Sequence, residues 1–170
     1  QGTNKGNTMN AIRSIIDSLN EVFTPMDVQV LESTKKWATE RIEAIAEFKK
    51  SEDAQALRKN QTAYYNHLFA IAGGKTWYTA FQGRSLTMVH EIVEKHCATI
   101  ATKRNASIAK KLTQAGITEV INEEFTYTRD GFDGIFVVGT DAGNKLVTIN
   151  TILAGGYNIQ CLHMRVLVKV

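Results

Sequence analysis

Proline occurs once and cysteine twice in 170 residues, and no acidic residue stands between Lys95 and Thr118. No apolar run approaches the ~18 to 20 residues of a membrane span, so no membrane partner is expected. The opening segment QGTNKGNTMN has no apolar stretch of the secretory type. Residues 1–8 are therefore expected to form a flexible tail, with Met9 as the natural start and the cytoplasm as the location. Cys97 and Cys161 lie far apart in segments patterned as regular structure, which argues for reduced thiols rather than a disulfide.

Several chemistries are excluded by what their motifs lack. Gly74-Lys75-Thr76 resembles the end of a phosphate-binding loop, but the required glycine five residues earlier is Phe69. That loop must also follow a buried strand, whereas Leu57, Tyr64, Leu68 and Ile71 recur at helical spacing. Gly73-Gly74 reads instead as a helix stop. His90-Glu91 begins like a zinc-protease helix, yet the next histidine, His96, comes six residues on rather than four. His90, Glu94 and Cys97 do share a helix face, and Cys161 with His163 could complete a metal set from a strand. Against that, His96 falls on an apolar stripe and Cys97 is the kind of small residue that cores bury. The turns RDGFDG and TDAGNK lack the spacing of calcium loops, and no nucleophile elbow is present. No catalytic residue, metal site or cofactor is assigned, and a metal-dependent enzyme centred on His90, Glu94 and Cys97 ranks third among the functional readings.

What is present is a change of period. Ile12, Ile15, Ile16, Leu19, Val22 and Phe23 make one amphipathic helix. Thr24, Pro25 and Asp27 look like cap, first turn and dipole partner of a second, which carries Leu31, Ala38, Ile42, Ile45 and Phe48. Ser51 marks a restart towards Ala72, and Ser85 caps a further helix through Leu86, Val89, Val93, His96 and Ile100. The apolar phase then shifts near Asn105 before Ile108 and Leu112, implying a kink or a junction of two helices.

Past Gly116 the pattern alternates. TEVINEEFTYT, GIFVVGT, KLVTINTIL and IQCLHMRVLVKV are strand-like, separated by RDGFDG, DAGN and AGGYN turns. In the last strand Leu162, Met164, Val166, Val168 and Val170 face one way, and His163, Arg165, Leu167 and Lys169 the other. The expected fold class is α+β: a single domain over 9–170, helical over about 9–116, then a four-stranded antiparallel β-meander over about 117–170.

The net charge of +3 is unevenly distributed: residues 75–117 hold seven Lys/Arg against two Asp/Glu. Lys103, Ser107, Lys110 and Gln114 follow one helical stripe, with Arg104 and Lys111 alongside. Such a stripe can follow a phosphate backbone, although most charged helix faces are simply solvated. Trp77, Tyr78 and Phe81 beside Lys75 and Arg84 could stack on bases, but their spacing is also that of core residues. The nucleic-acid-binding set is therefore Lys103, Arg104, Lys110 and Lys111, joined by Arg165 and Lys169 from the mildly basic strand face.

The segment DGFDGIFVVGTDAGNKLVTINTILAGGYNIQCLHMRVLVKV resembles small uncharacterised proteins encoded by bacteriophages. The resemblance covers the last third of the chain, brings no site residues, and implies expression in the cytoplasm of an infected bacterium. The expected function is a non-catalytic binding protein that contacts nucleic acid or a nucleoprotein through the basic helix. The alternative is a module directed at a host or phage protein, as an inhibitor or an assembly component. It would use its helices and sheet edge, and could form a homo-oligomer.

Overall fold

The structure is a computed structural model and describes residues 2–128, 131–153 and 162–169. Five helices precede four strands: α1 (Gly2–Lys49), α2 (Glu52–Leu57), α3 (Gln61–Ala72), α4 (Lys75–Phe81), α5 (Leu86–Gln114), β1 (Ile117–Thr128), β2 (Gly131–Thr140), β3 (Gly143–Leu153) and β4 (Leu162–Lys169). The class is α+β, with helices first and the sheet last.

The buried apolar residues do not make one core. They form two clusters, and the chain divides into two compact units, residues 1–28 with 99–170 and residues 29–98. In the first unit, Ile15, Leu19 and Phe23 of α1 and Ile108 and Leu112 of α5 pack on Phe132, Phe136, Val138, Val147 and Ile149 of the sheet. In the second, Ala38, Ile45 and Phe48 of α1 and Val89 and Val93 of α5 pack with Leu68, Ala72, Tyr78 and Phe81. This accounts for the phase shift near Asn105. α5 is one continuous helix whose two halves serve different cores.

Pro25, expected to open a helix, lies inside α1. The local cap signal is overridden because apolar residues on both sides of the proline are buried, and that outweighs the ~3 kcal/mol a helix loses there. Thr24 does not cap; its hydroxyl donates to the carbonyl of Asn20 at 2.7 Å. The helix begins at Gly2 and takes in residues 2–8, where a tail was expected, because no helix stop intervenes before Ala11 and Ile15 enter the core. Other signals hold. Ser51 accepts from the Ala54 N–H at 3.1 Å and Ser85 from the Met88 N–H at 3.3 Å. Gly73 ends α3 with φ 88°, and any Cβ there would stand 2.6 Å from Trp37 Cζ2.

The sheet runs in the order β1-β2-β3-β4, every neighbour antiparallel. Of the residues expected to turn at RDGFDG, 129 and 130 lie outside the described residues and the rest are in β2. Phe132 and Asp133 already belong to β2, and Phe132 is fully buried. Thr151 holds it: the Phe132 N–H donates to the threonine Oγ1 at 3.0 Å. β2 returns to β3 through Asp141-Ala142, where the Thr140 hydroxyl donates to the Gly143 carbonyl at 2.7 Å.

Candidate nucleic-acid interface

The second half of α5 presents its cations from a rigid base. Ile108 and Leu112 are completely buried against the sheet, which fixes the rotation of the helix. The opposite side then faces water. Lys103, Ser107, Lys110, Lys111 and Gln114 are all exposed, and the three lysines form no ion pair with a described carboxylate. At 1.5 Å per residue Lys103 and Lys110 stand about 10 Å apart along the axis, close to the rise of three nucleotides on one strand. Lys111 in the last turn also lies where the helix dipole favours a cation.

Arg104 does not belong to this surface. Its side chain is 8% exposed and its guanidinium grips Asp27 with both amino groups, at 2.7 and 2.9 Å. It also lies over the ring of Phe23, 3.8 Å from the centroid. The reason is position on the helix: Arg104 is one turn before Ile108, on the side that meets α1. A guanidinium entering that contact must find both an aromatic face and a carboxylate. Asp27, expected to face a helix start, is the carboxylate that receives it.

Arg165 and Lys169 are exposed, but they do not join the lysines of α5. Val166, between them, packs on the core that α5 covers, so the two cations project from the other face of the sheet. The six residues expected to bind together therefore separate into three lysines on α5, one buried arginine, and two cations on the far face of the sheet.

In the other unit, the aromatic residues near Lys75 are core. Trp77 meets Trp37 edge-on at 5.5 Å and His96 at 5.1 Å, and Phe81 and Tyr78 are buried. Burial pushes the Tyr78 phenol above its ordinary value of 10.0. The residues of the metal reading have other partners. His90 Nε2 lies 3.1 Å from the Thr39 hydroxyl, and Glu94 pairs with Lys35 at 2.6 Å. The hydrogen bond from Lys35 holds the Glu94 carboxyl below its ordinary value, and the same bond raises Lys35. Cys97 is half-buried against the core of this unit. Cys161 and the His163 side chain lie outside the described residues. Among the described residues no three His, Cys, Asp or Glu side chains are placed to hold a metal ion. No described helix is long and apolar enough to cross a membrane.

No protein-family model, curated protein or solved structure matches the chain.

Proposed function

We propose that the protein is a binding module that contacts nucleic acid or a nucleoprotein through the lysines of α5. The observation that carries this reading is the exposure of Lys103, Lys110 and Lys111 on an acid-free helical segment with no carboxylate partner among the described residues. Three phosphate contacts give a slope of about −2.7 in the logarithm of affinity against that of salt. Affinity then falls about 40-fold between ~50 and ~200 mM monovalent salt. Binding of this kind reads charge spacing and not base sequence.

Anisotropy of labelled duplex DNA and single-stranded RNA, titrated with the full chain across that salt range, tests it. Lys103→Glu combined with Lys110→Glu is expected to abolish binding to both, and neither side chain holds the fold. Absence of binding at ~50 mM salt, or an unchanged affinity in the double variant, refutes the reading.

A further inference from the structure

An antiparallel sheet with one face on a core ordinarily turns polar residues to the other side. This sheet departs from that rule. Its inward residues Phe132, Phe136, Val138, Val147 and Ile149 are fully shielded, as expected. Among the outward ones, Ile135 and Val137 of β2, Leu146 of β3 and Leu167 of β4 are apolar as well. Leu146 is 36% exposed and the other three are half-buried. The register brings them together: Ile135 stands opposite Thr148, which stands opposite Leu167, while Val137 stands opposite Leu146. They form one apolar band across the middle of the face.

Charge is sorted by sign on either side of that band. Towards β1 lie Glu124, opposite Ile135, and Glu119, whose side chain covers Gly139, together with Asp133 of β2. Towards β4 lie Arg165 and Lys169. The strand preference of valine and isoleucine would explain apolar residues here. It does not explain acids at one margin and bases at the other.

We propose that this face docks a second copy of the chain, sheet on sheet, about a two-fold axis running parallel to the strands between β2 and β3. That operation lays β4 of one copy over β1 of the other and Val137 over Leu146 at the centre, with Leu167 at the level of Glu124. Lys169 stands at the level of Asn122, between the levels of Glu119 and Glu124, so each lysine meets two glutamates of the other copy. Arg165, at the level of Thr126, comes beside Glu124 of the other copy. Four strands spaced ~4.8 Å apart and eight residues long give a face of about 500 Å². A stable interface takes about 800 Å² per partner, so the pair is weak, with dissociation in the range of ~10 to ~100 μM. The proposal does not rest on the nucleic-acid reading, because α5 packs on the other side of the sheet.

Sedimentation velocity of the full chain from ~5 to ~500 μM at ~50 mM salt tests it, with a monomer–dimer equilibrium expected. Leu146→Lys should weaken the dimer more than ~10-fold. Lys169→Glu and Glu124→Lys should each weaken it ~5- to ~20-fold, and their combination should weaken it by less than the product of the two, since one opposite pairing is recreated while Glu119 and Arg165 keep their charges. A chain that stays monomeric at the highest concentration overturns the proposal. So does a dimer indifferent to these substitutions, or a double charge exchange whose loss equals the product of the two single losses.

Discussion

Replacing Asp27 by alanine leaves the Arg104 guanidinium in place, 8% exposed, without the carboxylate that holds it at 2.7 and 2.9 Å. Breaking a fully buried ion pair by removing one partner costs about 3 to 5 kcal/mol. Asp27 is 34% exposed, so water can take part of its place, and the expected loss is about 2 to 3 kcal/mol. Arg104→Met is milder. It keeps an apolar stem over Phe23 and leaves a carboxylate that water can reach, at about 1 kcal/mol, mainly the lost cation–ring attraction. The double variant Asp27→Ala with Arg104→Met should be no worse than Asp27→Ala alone, because no unpaired cation remains. Urea unfolding followed by far-ultraviolet circular dichroism reads these differences, about 1 M in midpoint for the aspartate variant. Arg104→Met should also leave nucleic-acid affinity unchanged, although it removes a positive charge from the basic segment. An Asp27→Ala cost below ~0.5 kcal/mol, or a double variant whose loss equals the sum of the two, would refute the coupling.

Gly131→Ala should destabilise by about 1 to 3 kcal/mol, since its Cβ would stand 2.2 Å from the Thr151 carbonyl oxygen; a midpoint shift under ~0.2 M in urea would contradict this. The Lys35–Glu94 pair predicts a pH-dependent difference between wild type and Glu94→Gln. Glu94 is depressed on folding, so its stabilisation exists above the ordinary value of 4.5 and disappears as pH falls through the lower folded value. Lys35 is raised, so its share is complete below 10.5 and is lost as pH rises through the higher folded value. The gap in melting temperature should therefore be flat from ~pH 6 to ~pH 9, close in acid and strong base, and stay small because Glu94 is half exposed to screening solvent. A gap that persists at pH 2 would count against the pair.

Local signals proved readable where the physics is local. The caps at Ser51 and Ser85, the stop at Gly73, the Asp141-Ala142 turn and the alternation over residues 165–169 of the last strand each depend on residues within a few positions. Pro25 misled because a cap signal says nothing of what lies on either side, and here burial across the proline decides. The Asn105 phase shift was visible, but a phase cannot say that one helix serves two cores. The candidate site was legible only in part, for a related reason. Helical spacing puts Lys103 and Lys110 on one stripe, yet Arg104 was displaced from it by a carboxylate 77 residues away, and only the packing of α1 on α5 brings the two together. The outward band was half visible: the alternation of β4 set Leu167 among Arg165 and Lys169, while its alignment with Ile135, Val137 and Leu146 needed the strand register.

The register of β1 against β2 slips twice, between Ile117 and Glu119 and between Val120 and Asn122. An unbroken rim of amides and carbonyls would invite strand addition, and open-ended fibres would need the β1 rim of one molecule to zip onto the β4 rim of the next. The two slips put the first half of β1 out of step, and only residues 122–128 keep an unbroken register. One shortened margin weakens every joint of such growth, because each joint of a head-to-tail fibre would have to use it.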